Sequence, residues 1–200
     1  MAERYDAAVK AFLKRGGVLR MVDALKAGIN RRTLYSMRDE GVVERLSRGT
    51  YRLASLPELA DPDLVTVATR IPNGVICLIS ALALHELTTQ VPHAIDVAVT
   101  RGTEVPRLDY PPIKVYWFSG KAFTEGVHTK PTDGLQLKVY CPEKSIADAF
   151  KYRNKLGLDV AVEALSTWRR QKGAKMELLL QYARICRVER VIRPYLEAVT

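Results

Sequence analysis

Residues 18–53 read VLRMVDALKAGINRRTLYSMRDEGVVERLSRGTYRL, and this stretch decides the fold. Met21, Val22 and Leu25 recur at helical spacing and predict a first helix with an apolar face. Ala27-Gly28-Ile29 reads as a turn, with Gly28 where a helix end commonly needs a left-handed residue. Asn30 is a good N-cap for a second helix, because its side-chain oxygen can accept from an orphan amide of the first turn. Leu34 and Met37 turn that helix inward, while Arg31, Arg32, Thr33, Tyr35, Ser36 and Arg38 fall mostly on the other side. Gly41 ends it. Residues 42–46 and 50–53 read as two short strands. Ser47-Arg48-Gly49 joins them, with Gly49 available for the positive φ of a tight hairpin.

Helix, turn, helix, hairpin is the order of a winged helix-turn-helix. There the second helix enters the DNA major groove and its N-terminal residues meet base edges. Arginine suits guanine edges and phosphates because its planar fork donates two parallel hydrogen bonds. A basic wing tip lies along a phosphate backbone or in the minor groove. The candidate DNA-binding residues are therefore Asn30, Arg31, Arg32, Thr33, Tyr35, Ser36 and Arg38 on the helix. On the wing they are Arg45, Ser47, Arg48, Tyr51 and Arg52. The competing readings are a solvated arginine-bearing helix and a winged helix that docks protein. The coincidence of positive charge with the two elements such a fold presents to DNA favours duplex DNA.

Charge points the same way. The chain of 200 residues carries a net +9, distributed as +6 over residues 1–55, −2 over 56–142 and +5 over 143–200. A basic protein attracts polyanions through counterion release, which is independent of sequence. Cys77, Cys141 and Cys186 are far apart and odd in number, with no CxxC pair, as in a reducing cytoplasm. No run approaches the ~18 apolar residues of a membrane span. The opening MAERYDAAVK has acids and no apolar core, so it does not read as a signal peptide.

Outward from the motif, residues 4–15 predict a helix through Tyr5, Ala8, Val9, Phe12 and Leu13, stopped by Gly16-Gly17. Residues 54–60 read as a linker, which divides a DNA-binding domain (1–55) from an α+β domain (56–200). Asp61-Pro62-Asp63 opens a helix over 64–71. Residues 75–79 form a buried, strand-compatible segment leading into a helix capped by Ser80. Strands are expected at 95–99, 113–118, 127–132 and 135–140, the last two joined by Asp133-Gly134. Beyond Pro142 the pattern is helical, with 176–186 and 188–199 forming one bent helix or two. The expected class is α+β: a winged helix-turn-helix, then a small, mostly antiparallel sheet with several helices.

Catalytic constellations fail on spacing. His85-Glu86 with His93 and Asp96 lacks the i, i+4 histidine pair that places two imidazoles on one helix face. Gly16-Gly17 is not part of a phosphate loop, and Ser80 has no G-x-S-x-G setting. Asp96 and Glu104 lack the acid-x-Lys triplet of a nuclease strand. No enzyme activity, metal or cofactor is expected. Glu143, Lys144, Asp148, Lys151, Tyr152 and Arg153 read as a solvated charged helix, the alternative being a phosphate or partner surface. Arg184, Arg187 and Arg190, with Arg193 next, line one side of the last helix and are possible secondary phosphate contacts.

Three segments in order resemble one family. They are Arg31-Arg32-Thr33-Leu34-Tyr35 with Gly41 and the wing 48–53; then Asp61-Pro62-Asp63-Leu64 with 72–78 and 80–88; then Tyr140 with 143–148, Tyr152-Arg153 and Leu156-Gly157. Together the chain resembles the AbiEi-type antitoxins of bacterial toxin–antitoxin systems, which are winged-helix regulators. The resemblance implies repression of the chain's own operon at repeated operator DNA. It also implies that the chain counteracts a nucleotidyltransferase-like toxin encoded nearby. The N-terminal domain would read DNA through Arg31, Arg32, Thr33, Tyr35, Ser36 and Arg48, and the C-terminal domain would carry antitoxin activity. The chain would act in the cytoplasm as a monomer or homodimer.

Overall fold

Apolar side chains that repeat with the helical period meet the faces of a small sheet, and this packing builds the N-terminal part. The computed structural model describes residues 3–133 and 135–198. Its elements there are α1 (Asp6–Leu13), β1 (Val18–Arg20), α2 (Met21–Lys26), α3 (Arg31–Asp39), β2 (Val43–Ser47) and β3 (Thr50–Leu53). β3 lies between β1 and β2, antiparallel to both, with Leu19 opposite Tyr51 and Val43 opposite Leu53. Phe12, Ala24, Leu34 and Met37 are fully buried against Leu19, Val43 and Leu53. Asn30 caps α3, its Oδ1 accepting from the Thr33 amide at 2.8 Å. Gly28 has φ +85°, the left-handed turn residue expected there. Gly17 is held more tightly: its φ is +81°, and a Cβ would sit 2.1 Å from Leu56 Cδ1.

One expectation fails inside the motif. Residues 18–20 are a strand, because their backbone pairs with β3, so α2 begins only at Met21. The six residues that remain bury Ala24, leaving Val22 and Leu25 exposed rather than forming the apolar face.

α4 (Pro62–Arg70) starts as expected, with Asp61 Oδ1 accepting from the Leu64 amide at 2.9 Å. It belongs to a first compact unit that runs up to Pro72 and takes in Pro106–Pro111 and Lys130–Leu137. The remaining residues form a second unit.

The next elements are β4 (Val75–Ile76), α5 (Leu78–Leu84), β5 (Ile95–Thr100), β6 (Ile113–Phe118), α6 (Lys121–Thr124), β7 (Val127–Thr132) and β8 (Leu135–Tyr140). The sheet order is β6-β5-β4-β8-β7. The α+β class is as expected, but the sheet is mixed. β4 pairs antiparallel with β5, while β5 runs parallel to β6 and β4 parallel to β8. The parallel pairs arise because long connections, not hairpins, join their strands. The turn residue Gly134 lies outside the described residues. Cys77, not Ser80, occupies the N-cap of α5; Ser80 is inside the helix and its Oγ accepts from the Asp96 amide at 2.9 Å.

The helices that follow are α7 (Pro142–Lys151), α8 (Arg153–Leu156), α9 (Leu158–Arg170), α10 (Met176–Ile185) and α11 (Glu189–Ala198). α7 packs against α5, α9, α10 and α11. The solvated charged helix expected here is therefore a buried one. Glu143, Lys144 and Asp148 are interior, and Lys151 is the exposed residue of the predicted set. Burial is tolerated because each charge has partners. Lys144 Nζ meets Asp148 Oδ2 at 2.5 Å and lies 4.2 Å from the Tyr140 ring centroid. Cys186 Sγ donates to Asp148 Oδ1 at 3.2 Å, and Trp168 Nε1 donates to Glu143 Oε1 at 3.4 Å.

The last helices are two. Arg187 turns the chain with φ +60°, and the Val188 amide bonds back to the Ala183 carbonyl at 2.8 Å. Arg184, Arg187 and Arg190 consequently sit on α10, in the turn and on α11, not along one helix side. Among the described residues no helix is long and apolar enough to cross a membrane.

Candidate nucleic-acid interface

α3 presents the side opposite Leu34 and Met37. Arg31, Arg32 and Tyr35 are exposed there, and Thr33 and Ser36 are half-buried beside them. Asn30 is also exposed, but its oxygen is engaged in capping. Arg38 is exposed and bound to its neighbour: its Nη2 lies 2.6 Å from Asp39 Oδ1 and its guanidinium 5.2 Å from the Tyr35 ring centroid. The free cations of the helix are thus on its first turn, the part that meets base edges in a winged helix.

On the wing, Arg48 is exposed at the tip and its carbonyl accepts from Arg70 Nη1 at 2.7 Å. That bond and Gly49, at φ +74°, fix the tip backbone while leaving the Arg48 side chain free. Arg45 is exposed, its Nε donating to the Ser47 carbonyl at 3.3 Å across an irregularity in the β2–β3 register. Tyr51 and Arg52 are a correction. Both are only 4% exposed: Tyr51 packs into the core of this unit, and Arg52 is covered by its own partners. Arg52 instead bonds Glu44 at 2.7 Å and the Pro57 carbonyl. Ser47 is likewise withdrawn, with its Oγ buried and without a partner among the described residues.

The structure adds residues that the sequence reading missed. A groove of about 680 Å³ runs beside the wing, and Arg20, Arg48, Arg70 and Arg107 contribute to its walls. Arg20 is forked onto Asp23, with Nε 2.6 Å and Nη2 3.2 Å from its oxygens, which holds the Asp23 carboxyl below its usual range. Arg107 is exposed. It reaches this unit from a distant loop, a placement for which periodicity and spacing carry no signal.

The residues considered for metal chemistry do not converge. A His85 ring nitrogen bonds the Tyr140 carbonyl at 2.7 Å, and Asp96 is buried against Ser80, with its carboxyl pushed up by desolvation. Among the described residues no cluster of three or more His, Cys, Asp or Glu could hold an ion. In the C-terminal helices Arg184 and Arg193 share Glu189, at 3.3 and 2.6 Å, whereas Arg187 and Arg190 are exposed without such an ion pair among the described residues.

Residues 6–54 match the family described as transcriptional regulator, AbiEi antitoxin. The match runs from α1 to the end of the wing, so the AbiEi resemblance holds over the segment that contains every N-terminal candidate. Among solved structures, the crystal structure of the RV2827C protein from Mycobacterium tuberculosis is similar in fold. It is 16% identical, covers 96% of this chain and 80% of its own, and superposes with a TM-score of 0.50. No curated protein matches the chain.

Proposed function

We propose that this chain is a cytoplasmic transcriptional autorepressor and antitoxin, reading duplex operator DNA through α3 and the wing. The observation that carries the reading is the pairing of exposed Arg31 and Arg32 on the first turn of α3 with exposed Arg48 at the wing tip. All three lie within the AbiEi-matching segment. Arg31 and Arg32 meet base edges, Tyr35, Thr33 and Ser36 flank them, and Arg48 and Arg45 bind phosphates. Residues 1–55 form the DNA reader. Residues 56–200 supply the antitoxin activity that counters a nucleotidyltransferase-like toxin.

The test is a mobility shift of the purified chain on its own upstream DNA and on an unrelated duplex, at two salt concentrations. Tight, selective binding to the upstream DNA supports the repressor. Equal, salt-sensitive binding to both duplexes overturns it, since that is electrostatic attraction alone. Antitoxin activity is read by growth rescue on co-expression with the adjacent toxin gene, and failure to rescue rejects that part.

A further inference from the structure

A second concentration of positive charge is built into the other unit. A cavity of about 480 Å³ is lined there by Ser119, Lys121, Lys151, Cys186 and Arg187, among others, and no carboxylate is among its lining residues. The three cations are exposed, and none makes an ion pair with a described carboxylate. Lys151 Nζ lies 5.6 Å from the Phe118 ring centroid, which leaves its charge uncompensated. The nearest buried acid does not neutralise them, because Asp148 is already matched by Lys144 at 2.5 Å. Cys186 contributes a neutral wall: its thiol donates to Asp148, and burial pushes its pKa up to about 12.

Arg187 is the telling residue. It occupies the left-handed position that closes α10, with φ +60°, where glycine is the ordinary choice. An arginine there is strained backbone kept in place by the Arg187–Arg184 and Val188–Ala183 hydrogen bonds. The turn fixes the Arg187 backbone beside Lys121 and Lys151.

We infer that this cavity binds a phosphoryl group, held by the ammonium groups of Lys121 and Lys151, the guanidinium of Arg187 and the hydroxyl of Ser119. Compact ammonium charges, a planar guanidinium fork and a hydroxyl donor suit tetrahedral phosphate oxygens. The phosphoryl group comes either from a free phosphorylated compound or from a nucleic-acid backbone. The site is separate from the DNA reading of α3 and the wing.

The probe is inorganic pyrophosphate, titrated against the full chain at constant ionic strength while the melting temperature is followed. At ten times Kd the wild type gains about 3–5 °C. Lys151→Gln and Arg187→Gly lose that gain. Arg187→Gly serves as the folding control, because glycine relieves the strained turn and its ligand-free Tm stays level or rises by about 1–2 °C. The double variant Arg32→Ala/Arg48→Ala keeps the gain, so failure of the DNA reading and failure of this site are distinguishable. No gain in the wild type, or an equal gain in the cavity variants, overturns the inference. In the double variant, displacement of pyrophosphate by an oligonucleotide assigns the site to a nucleic-acid backbone. Persistence of pyrophosphate assigns it to a free compound.

Discussion

Two single substitutions separate what the helix does from what the wing does. Among the described residues the face cations Arg31, Arg32, Arg45 and Arg48 have no carboxylate partner, whereas Arg38 is tied to Asp39. If the two wing cations, Arg45 and Arg48, each neutralise one phosphate, log Kobs falls against log salt with a slope of about −1.8. Affinity for any duplex then drops about 12-fold between 50 and 200 mM salt. Arg48→Ala brings the slope to about −0.9 and leaves the wing fold intact, since Arg70 bonds the Arg48 backbone carbonyl, which alanine retains. The loss is the same on operator and unrelated DNA. Arg32→Ala behaves differently if its guanidinium forks onto a guanine edge. It costs about 1–3 kcal/mol on the operator, roughly 5–150-fold, and little on unrelated DNA. The assay is fluorescence anisotropy of labelled duplexes over five salt concentrations. An unchanged slope for Arg48→Ala removes the wing from the interface. Equal losses for Arg32→Ala on both duplexes remove base reading from α3.

Other outcomes concern the scaffold. Lys144→Met strands Asp148 in the interior and destabilises the chain by about 3–5 kcal/mol in urea, and the double variant Lys144→Met/Asp148→Leu recovers most of it. A double variant no more stable than the single one rejects the pairing argument. Gly17→Ala forces a Cβ toward Leu56 at a φ of +81° and lowers Tm, whereas Gly28→Ala, with open space around it, costs less; the opposite order in thermal melts contradicts the packing. Asn30→Ala loses the α3 cap and costs about 0.5–2 kcal/mol, measured by denaturation. The Glu163 carboxyl is held below its usual value by the hydroxyl and amide of Thr89 and the hydroxyl of Thr88. Its contribution is complete above pH 4.5 and fades as pH falls through the lower folded value, so Glu163→Gln flattens the acid limb of stability below pH 4.5.

What the sequence made legible was local. Asn30, Gly28, Gly41 and the 47–49 turn announce the helix and hairpin because caps and left-handed residues act over three or four positions. What it hid depends on pairing across distance. Nothing in Val18-Leu19-Arg20 separates a strand from the start of a helix until β3 is there to bond it. Arg52 looked like a wing cation because a hairpin by itself leaves a face open, and only its bonds to Glu44 and to the Pro57 carbonyl, beyond the hairpin, account for its burial. The charges of α7 pointed to solvent for a similar reason. A helix with Glu143, Lys144 and Asp148 reads as exposed unless four other helices are known to surround it.

The acids of the first unit also say something about the arginines they leave alone. Glu40 takes Arg4, Asp23 takes Arg20, Asp39 takes Arg38 and Glu44 takes Arg52. Each of these pairs lies off the first turn of α3 and off the wing tip. Arg31, Arg32 and Arg48 keep no such partner among the described residues, although the segment holds enough carboxylates to have engaged them. An exposed ion pair contributes little to stability, so leaving these three cations unpaired forgoes almost nothing in the fold. It does keep their donors available to an incoming polyanion without first breaking a bond. Moving an acid next to them, as in Tyr35→Glu between Arg31 and Arg38 on the same helix face, should therefore leave Tm nearly unchanged while weakening duplex binding at low salt.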